Sequence, residues 1–126
     1  PVAAVHALAF PIGGIFHVPH GLSNALVLPH VLRFNLPEAA PQYAELAGII
    51  APHVTGSVEA RAEALIAAMQ QLANKTGIET TLRQVGIREG DLDRLADEAM
   101  LQTRLIGNNP RELTRADAFA IYAAAL

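Results

Sequence analysis

The chain has 126 residues, the size of one domain, and nine Lys and Arg against twelve Asp and Glu give it a formal net charge of −3. This balance provides no basic stripe for nucleic-acid phosphates, and the absence of cysteine excludes disulfides and thiolate chemistry. No uninterrupted apolar run reaches the roughly 18–20 residues of a membrane-spanning helix, so we expect neither nucleic acid nor membrane as a partner.

Helical spacing of apolar residues recurs along the chain, and no segment keeps the period of two that a strand requires. We therefore predict an all-α fold in one unit, residues 1–126. The first helix carries an apolar stripe of Val2, Val5 and Leu8. It should end at Phe10, because Pro11 disfavours the α conformation in the residue before it. A loop is then expected at Gly13 and Gly14.

A second helix is predicted to begin near Pro19–Gly21, with proline in its favoured early position. Pro29 should bend this helix, and the segment 35–37 should stop it. Residues 41–50 predict another short helix that closes before Pro52.

The best-defined helix follows Ser57 and should end at Gly77, the usual type of C-terminal cap. A short turn is predicted at Leu82–Val85, and an amphipathic helix at residues 92–100. The segment "NNPRELT" (108–114) should break the pattern. Thr114 and Asp117 have the spacing of a capping box, which opens a last helix over 115–126.

Four of the five histidines, His6, His17, His20 and His30, lie in one apolar stretch. His20 and His30 are ten residues apart on one predicted helix, roughly 15 Å, so they cannot share a metal. His6 near the end of one helix and His20 at the start of the next can meet through the glycine turn. From spacing alone, two outcomes stay open: a metal-ligand pair, or core histidines bonded to backbone carbonyls.

The remaining polar groups predict no chemistry. His53 is expected at the surface, and the acidic residues of 91–98 are spaced like a solvated helix face. Gly13 and Gly14 lack a phosphate-loop pattern, and Ser23 lacks the context of a nucleophile elbow. No acidic residue lies between His6 and His20, which argues against a metal-dependent hydrolase of the H-E-x-x-H type.

The stretch "HALAFPIGGIFHVPHGLSNALVLPHVLRFN" (6–35) closely resembles the signature of the iron-containing, metal-dependent group III alcohol dehydrogenases. The segments "LRQVGIREGDLDRLADEA" (82–99) and "NNPRELT" also resemble that family, so the likeness covers essentially the whole chain. The resemblance implies the later part of a helical domain of the dehydroquinate-synthase-like type. It also implies an N-terminal NAD- or NADP-binding domain, which we expect to be absent from this chain.

By this resemblance, His6 and His20 match two of the three histidines that hold one divalent metal together with an aspartate. The other two ligands belong to sequence upstream of the motif. Many members have a histidine linked to proton transfer where this chain has Phe10, so Phe10 is expected to line the cleft instead. His17 falls in the loop beside the substrate and is a second cleft-lining candidate. No cofactor-binding residue is assigned.

The resemblance implies a cytoplasmic enzyme that interconverts an alcohol and an aldehyde or ketone, with Fe²⁺ or Zn²⁺ as the metal and NAD or NADP as the cofactor. The chain opens without Met and is apolar from its first residues, so we expect a piece of a longer protein, inactive alone. Such a piece should expose apolar surface, and we expect either self-association as a homo-oligomer through that surface or a partner that covers the N-terminal face. The alternative is a non-catalytic helical interaction module that keeps the family motif.

Overall fold

The computed structural model describes residues 3–126, and within that range every regular element is helical. The prediction of an all-α fold is confirmed. The six α-helices, in chain order, are α1 (Ala3–Phe16), α2 (His20–Ile50), α3 (Val58–Thr76), α4 (Leu92–Met100), α5 (Thr103–Gly107) and α6 (Arg115–Ala125). Two 3₁₀ turns, Leu82–Val85 and Glu89–Asp91, lie between α3 and α4. No helix in residues 3–126 is long and apolar enough to cross a membrane.

Helix α1 is longer than the sequence predicted, because it runs through Pro11 and the two glycines to Phe16. The predicted end at Phe10 and the predicted loop at Gly13 and Gly14 are therefore wrong. Leu8 and Ile12 are fully buried in the core, and this packing outweighs the local cost of proline inside a helix. Val2, which the predicted apolar stripe included, lies outside the described residues.

Helix α2 is one continuous element of 31 residues that contains Pro29, Pro37 and Pro41. The predicted stop at 35–37 and the separate helix at 41–50 are wrong, since the two merge. Both halves of the helix have a buried face: Leu26 and Val31 belong to one core cluster, and later residues of α2 pack against α3 in a second cluster. Tertiary burial on both halves maintains the helix where local sequence predicts a break.

The predicted ends of the later helices are confirmed. The Ser57 side chain accepts a hydrogen bond of 3.1 Å from the Ala60 backbone N–H and caps α3. Gly77 closes α3 in the left-handed conformation, with φ of 75°. Thr114 and Asp117 form the expected capping box of α6. Helix α5 lies between the predicted helix at 92–100 and the predicted break at 108–114, and it was not predicted.

The larger core cluster joins α1, the first half of α2, α4 and α6. Two polar contacts fix these helices to one another. Tyr122 of α6 donates a hydrogen bond from its hydroxyl to the Leu8 carbonyl oxygen of α1. Asn35 of α2 is fully buried and exchanges two side-chain hydrogen bonds with Asn109, at 3.0 and 2.8 Å. The larger cluster therefore fixes the position of α1 against α2, the two helices that carry the candidate site.

Candidate metal centre

His6 and His20 lie side by side, although they are on different helices. Their ring centres are 5.9 Å apart, with an angle of 39° between the ring planes. His6 is half-buried on the first half of α1, and His20 is exposed at the first position of α2. The sequence predicted that these two imidazoles converge, and the geometry places them together.

The route by which they meet differs from the prediction. His6 is not near the end of its helix, and the connection is the three-residue link His17–Pro19, not a glycine turn. This link folds back along α1 and passes close to Gly13. A Cβ atom added at Gly13 would lie 3.3 Å from the Val18 carbonyl oxygen. Gly13 therefore permits close backbone approach within a helix.

Ser23 fixes the link against the start of α2. Its side chain is fully buried, and its hydroxyl lies 3.2 Å from the Val18 carbonyl oxygen and 3.1 Å from that of Pro19. The Ser23 backbone N–H also donates to the Pro19 carbonyl oxygen, at 2.8 Å. Sequence reasoning dismissed Ser23 as a nucleophile and missed this role. The sequence feature that could have indicated this role is a small hydroxyl residue in the first helical turn after Pro19.

The two cleft-lining candidates, Phe10 and His17, lie between His6 and His20 along the chain. Phe10 lies one helical turn after His6 and is 63% exposed, which is unusual for so large an apolar side chain. His17 is exposed and has φ of 58°, the only positive φ of a non-glycine residue in the part of the chain described. Histidine is among the residues that tolerate this conformation better than most. The backbone N–H of His17 donates to the Gly13 carbonyl oxygen at 3.0 Å.

The spacing of the two rings fits a shared metal ion. A ring nitrogen binds Zn²⁺ at about 2.0–2.1 Å and the ring centre lies roughly 1 Å farther, so two rings on one ion have centres roughly 5–6 Å apart. Within residues 3–126, however, no group of three or more His, Cys, Asp or Glu side chains can hold a metal. In the described part of the chain, the His6–His20 pair is therefore not joined by a third such side chain.

Asn24 makes a direct contact with the pair that the sequence did not predict. Its side-chain Nδ2 lies 3.2 Å from Nε2 of His20, one turn earlier on α2. The Asn24 Oδ1 atom is buried and has no hydrogen-bond partner among the described residues. The i, i+4 spacing of His20 and Asn24 was the available signal, because residues at this spacing share a helix face.

The other histidines lie away from this pair, as predicted. His30 lines a separate cavity of about 300 Å³ with residues that include Asn74, Glu79 and Thr80. Burial, followed by the charge of Arg33, lowers the pKa of His30. His53 is exposed in the link between α2 and α3.

The acidic residues of α4 are solvated, as expected, and two of them form ion pairs. Asp93 and Asp97 both contact the Arg115 guanidinium of α6, the former at 3.0 Å. The hydrogen bond from Arg115 lowers the pKa of Asp97, and the same bonds raise the pKa of Arg115. This network links α4 to α6 and has no part in the histidine site.

All residues of the chain, 1–126, match the C-terminal region of the Fe-containing alcohol dehydrogenase family. The chain therefore belongs to this family and is part of its C-terminal helical domain. The resemblance identified from the 6–35 stretch is confirmed.

Proteins of known activity are similar over nearly the whole chain. The lactaldehyde reductase of Escherichia coli K12 is 38% identical over 119 residues, covering 94% of this chain and 31% of that protein. The 1,3-propanediol dehydrogenase of Klebsiella pneumoniae is 36% identical over 119 residues, covering 94% and 30% of the two chains. This chain thus spans about a third of the length of these relatives.

Solved structures show the same helical arrangement. A crystal structure of a 1,3-propanediol oxidoreductase matches with a TM-score of 0.91 and 36% identity, covering 98% of this chain and 32% of that one. An alcohol dehydrogenase from Oenococcus oeni matches with a TM-score of 0.87 and 34% identity, covering 97% and 32%.

Proposed function

We propose that this chain is a segment of a metal-dependent, NAD(P)-linked alcohol dehydrogenase and that His6 and His20 are two of its metal ligands. The observation that carries the proposal is the 5.9 Å separation of the two imidazoles, which come from different helices. Family membership supports the reaction class, and the names of similar proteins include reductases and dehydrogenases of small alcohols and aldehydes. The two remaining ligands would come from sequence upstream of the motif.

A divalent ion at this position would supply Lewis-acid stabilisation of the alcohol oxygen during hydride transfer to the nicotinamide. The residues of this chain hold and shape that position. His6, on the α1 face that meets α2, gives a fixed nitrogen donor, and His20 gives a donor from the exposed start of α2. Both imidazoles must be neutral to bind a cation, so metal affinity falls as protons compete for them.

Phe10 and His17 shape the approach to the metal position in this proposal. The exposed Phe10 ring, one turn from His6, offers an apolar wall that excludes water and has no proton to transfer. His17 presents an imidazole from the strained link between the helices and can hydrogen bond to a substrate hydroxyl or carbonyl oxygen.

The proposal includes a cytoplasmic enzyme, Fe²⁺ or Zn²⁺ as the metal, and NAD or NADP bound mainly by a separate domain. Among similar proteins, a butanol dehydrogenase of Clostridium saccharobutylicum is named as NADPH-dependent and a methanol dehydrogenase of Bacillus methanolicus as NAD-dependent. With two metal donors and no nucleotide domain, residues 1–126 alone should be inactive.

Self-association remains a prediction, and an exposed apolar end of α2, formed by Leu46, Ile49 and Ile50, is the surface available for it. The same surface favours the alternative of a non-catalytic interaction module.

The metal content of the complete protein distinguishes the proposed dehydrogenase from the non-catalytic interaction module. In the complete protein, His6→Ala and His20→Ala should each remove most of the bound iron or zinc measured by elemental analysis, and alcohol oxidation should fall with it. His53→Ala, in an exposed loop, is the matched control and should keep both. Full metal content in either site variant would overturn the ligand assignment, and a metal-free complete protein would favour the interaction module.

A further inference from the structure

We propose that Asn24 is a positioning residue that fixes which nitrogen of His20 carries the proton. A side-chain N–H of Asn24 donates to Nε2 of His20 across 3.2 Å. A nitrogen that accepts this bond carries no proton, so in the neutral ring the proton resides on Nδ1. Among the described residues, no other side chain or backbone group forms a hydrogen bond with the His20 ring.

The surroundings of the Asn24 amide favour this orientation over its reverse. In the observed orientation, the buried end of the amide is Oδ1, which has no partner within the described residues. Rotating the amide by 180° would instead bury the NH₂ group and its two donors at that place. An unpaired buried N–H is rarer in proteins than an under-satisfied carbonyl oxygen, and both cost free energy. The donor therefore faces His20.

The effect of Asn24 on metal binding rests on the proposed function, in which His20 is a metal ligand. A histidine nitrogen binds a metal only when it is unprotonated, and the hydrogen bond of the ring selects that nitrogen. Asn24 keeps Nε2 of His20 unprotonated before any ion arrives, although His20 itself is exposed. When an ion binds Nε2, the amide gives up its bond to that nitrogen, while the Nδ1 proton stays in place.

Nitrogen-15 NMR of the imidazole rings in the metal-free complete protein tests the tautomer directly. We expect His20 to be protonated on Nδ1 at a pH of about 8.5, roughly two units above the ordinary histidine pKa. Asn24→Asp replaces the donor with a carboxylate of nearly the same shape that only accepts, so the His20 proton should move to Nε2. Gln42→Glu makes the same chemical change at an exposed site on α2 and should leave His20 unchanged.

A wild-type His20 protonated on Nε2 would overturn the proposal, even if no variant folds. An Asn24→Asp chain that is folded by circular dichroism and keeps the wild-type tautomer would also overturn it. Loss of the Nδ1 tautomer in Asn24→Asp alone would support it.

Addition of Zn²⁺ to the complete protein separates this inference from the proposed function. A shift of the His20 Nε2 signal supports both, and a shift of Nδ1 instead overturns the positioning role. If the wild-type tautomer is as proposed but neither His6 nor His20 responds to Zn²⁺, the metal-ligand assignment fails while the tautomer assignment is confirmed.

Discussion

The hydroxyl of Tyr122 donates a hydrogen bond of 2.6 Å to the backbone carbonyl oxygen of Leu8, 114 residues earlier in the chain. Both side chains are fully buried, and burial raises the pKa of Tyr122. The bond joins α6 to the middle of α1, two residues after His6. The last helix of the chain therefore supports the helix that carries one of the two candidate ligands.

Removing this hydrogen bond should destabilise the chain. Tyr122→Phe is expected to lower the free energy of unfolding by about 0.5–1.5 kcal/mol, the usual net value of one hydrogen bond. Tyr43→Phe is the matched control, because the Tyr43 hydroxyl is buried beside the Asn35 side chain but makes no hydrogen bond of ordinary geometry among the described residues. That change should be neutral or slightly stabilising. Urea denaturation measures both, and equal effects of the two variants would contradict the assignment.

The two neighbouring glycines of α1 should respond in opposite directions to alanine. Gly14→Ala meets nothing within 4 Å and should stabilise the chain by about 0.5–1 kcal/mol, since alanine favours a helix. Gly13→Ala brings its Cβ to 3.3 Å from the Val18 carbonyl oxygen, whose position Ser23 fixes. We expect a net loss of stability for Gly13→Ala in thermal denaturation. An equal gain from both substitutions would show that the link His17–Pro19 moves freely.

The Asn35 and Asn109 side chains should act as one unit. Asn109→Ala leaves the buried Asn35 amide without this partner and should cost about 1–3 kcal/mol in the free energy of unfolding. The double variant with Asn35→Ala should cost less than the sum of the two single changes, because the bond is lost only once. Asn108→Ala, at an exposed neighbouring position, should change stability by less than about 0.5 kcal/mol. Additive single effects would disprove the coupling.

Stability should depend on the protonation of His30. Burial and, as the smaller effect, the charge of Arg33 lower the pKa of His30 in the folded chain. The unfolded chain therefore binds a proton at His30 more readily than the folded chain does. The contribution of His30 is complete above its ordinary pKa of about 6.5 and is lost as pH falls through the lower, folded value. Replacement of His30 by Gln should therefore flatten the rise of stability with pH in that window. Gln70→Ala, which alters the same cavity without removing a titratable group, should keep the slope.

The sequence predicted the structure best at helix ends, where hydrogen bonds between residues close in the chain determine the conformation. Ser57, Gly77 and the Thr114–Asp117 pair define helix ends through hydrogen bonds within a few residues, so spacing alone identified them. His6 and His20 do lie together, but the predicted route was wrong, because His6 is in the first half of α1 and the connection is the link 17–19. The family resemblance added the metal and the reaction class, which spacing left open.

The sequence was misleading where packing between distant segments decides the structure. Pro11 and Pro37 predict breaks, yet both lie inside helices that pack against α3, α4 or α6. Gly13 resembles a loop residue, but its role is to allow contact with a backbone segment that local patterns cannot position. The contact of Asn24 with His20 was not predicted, because it depends on the position of the His20 ring and on the burial of the Asn24 Oδ1 atom.

The length of α2 has a consequence for how this domain can change. At about 1.5 Å per residue, its 31 residues form a rod of about 46 Å, with His20 at one tip and the uncovered side chains of Leu46, Ile49 and Ile50 near the other. The first half is held by the cluster around α1 and the second by α3. Substitutions at the far tip can therefore change this exposed apolar surface without disturbing the imidazole pair, so the two ends of one helix can evolve separately.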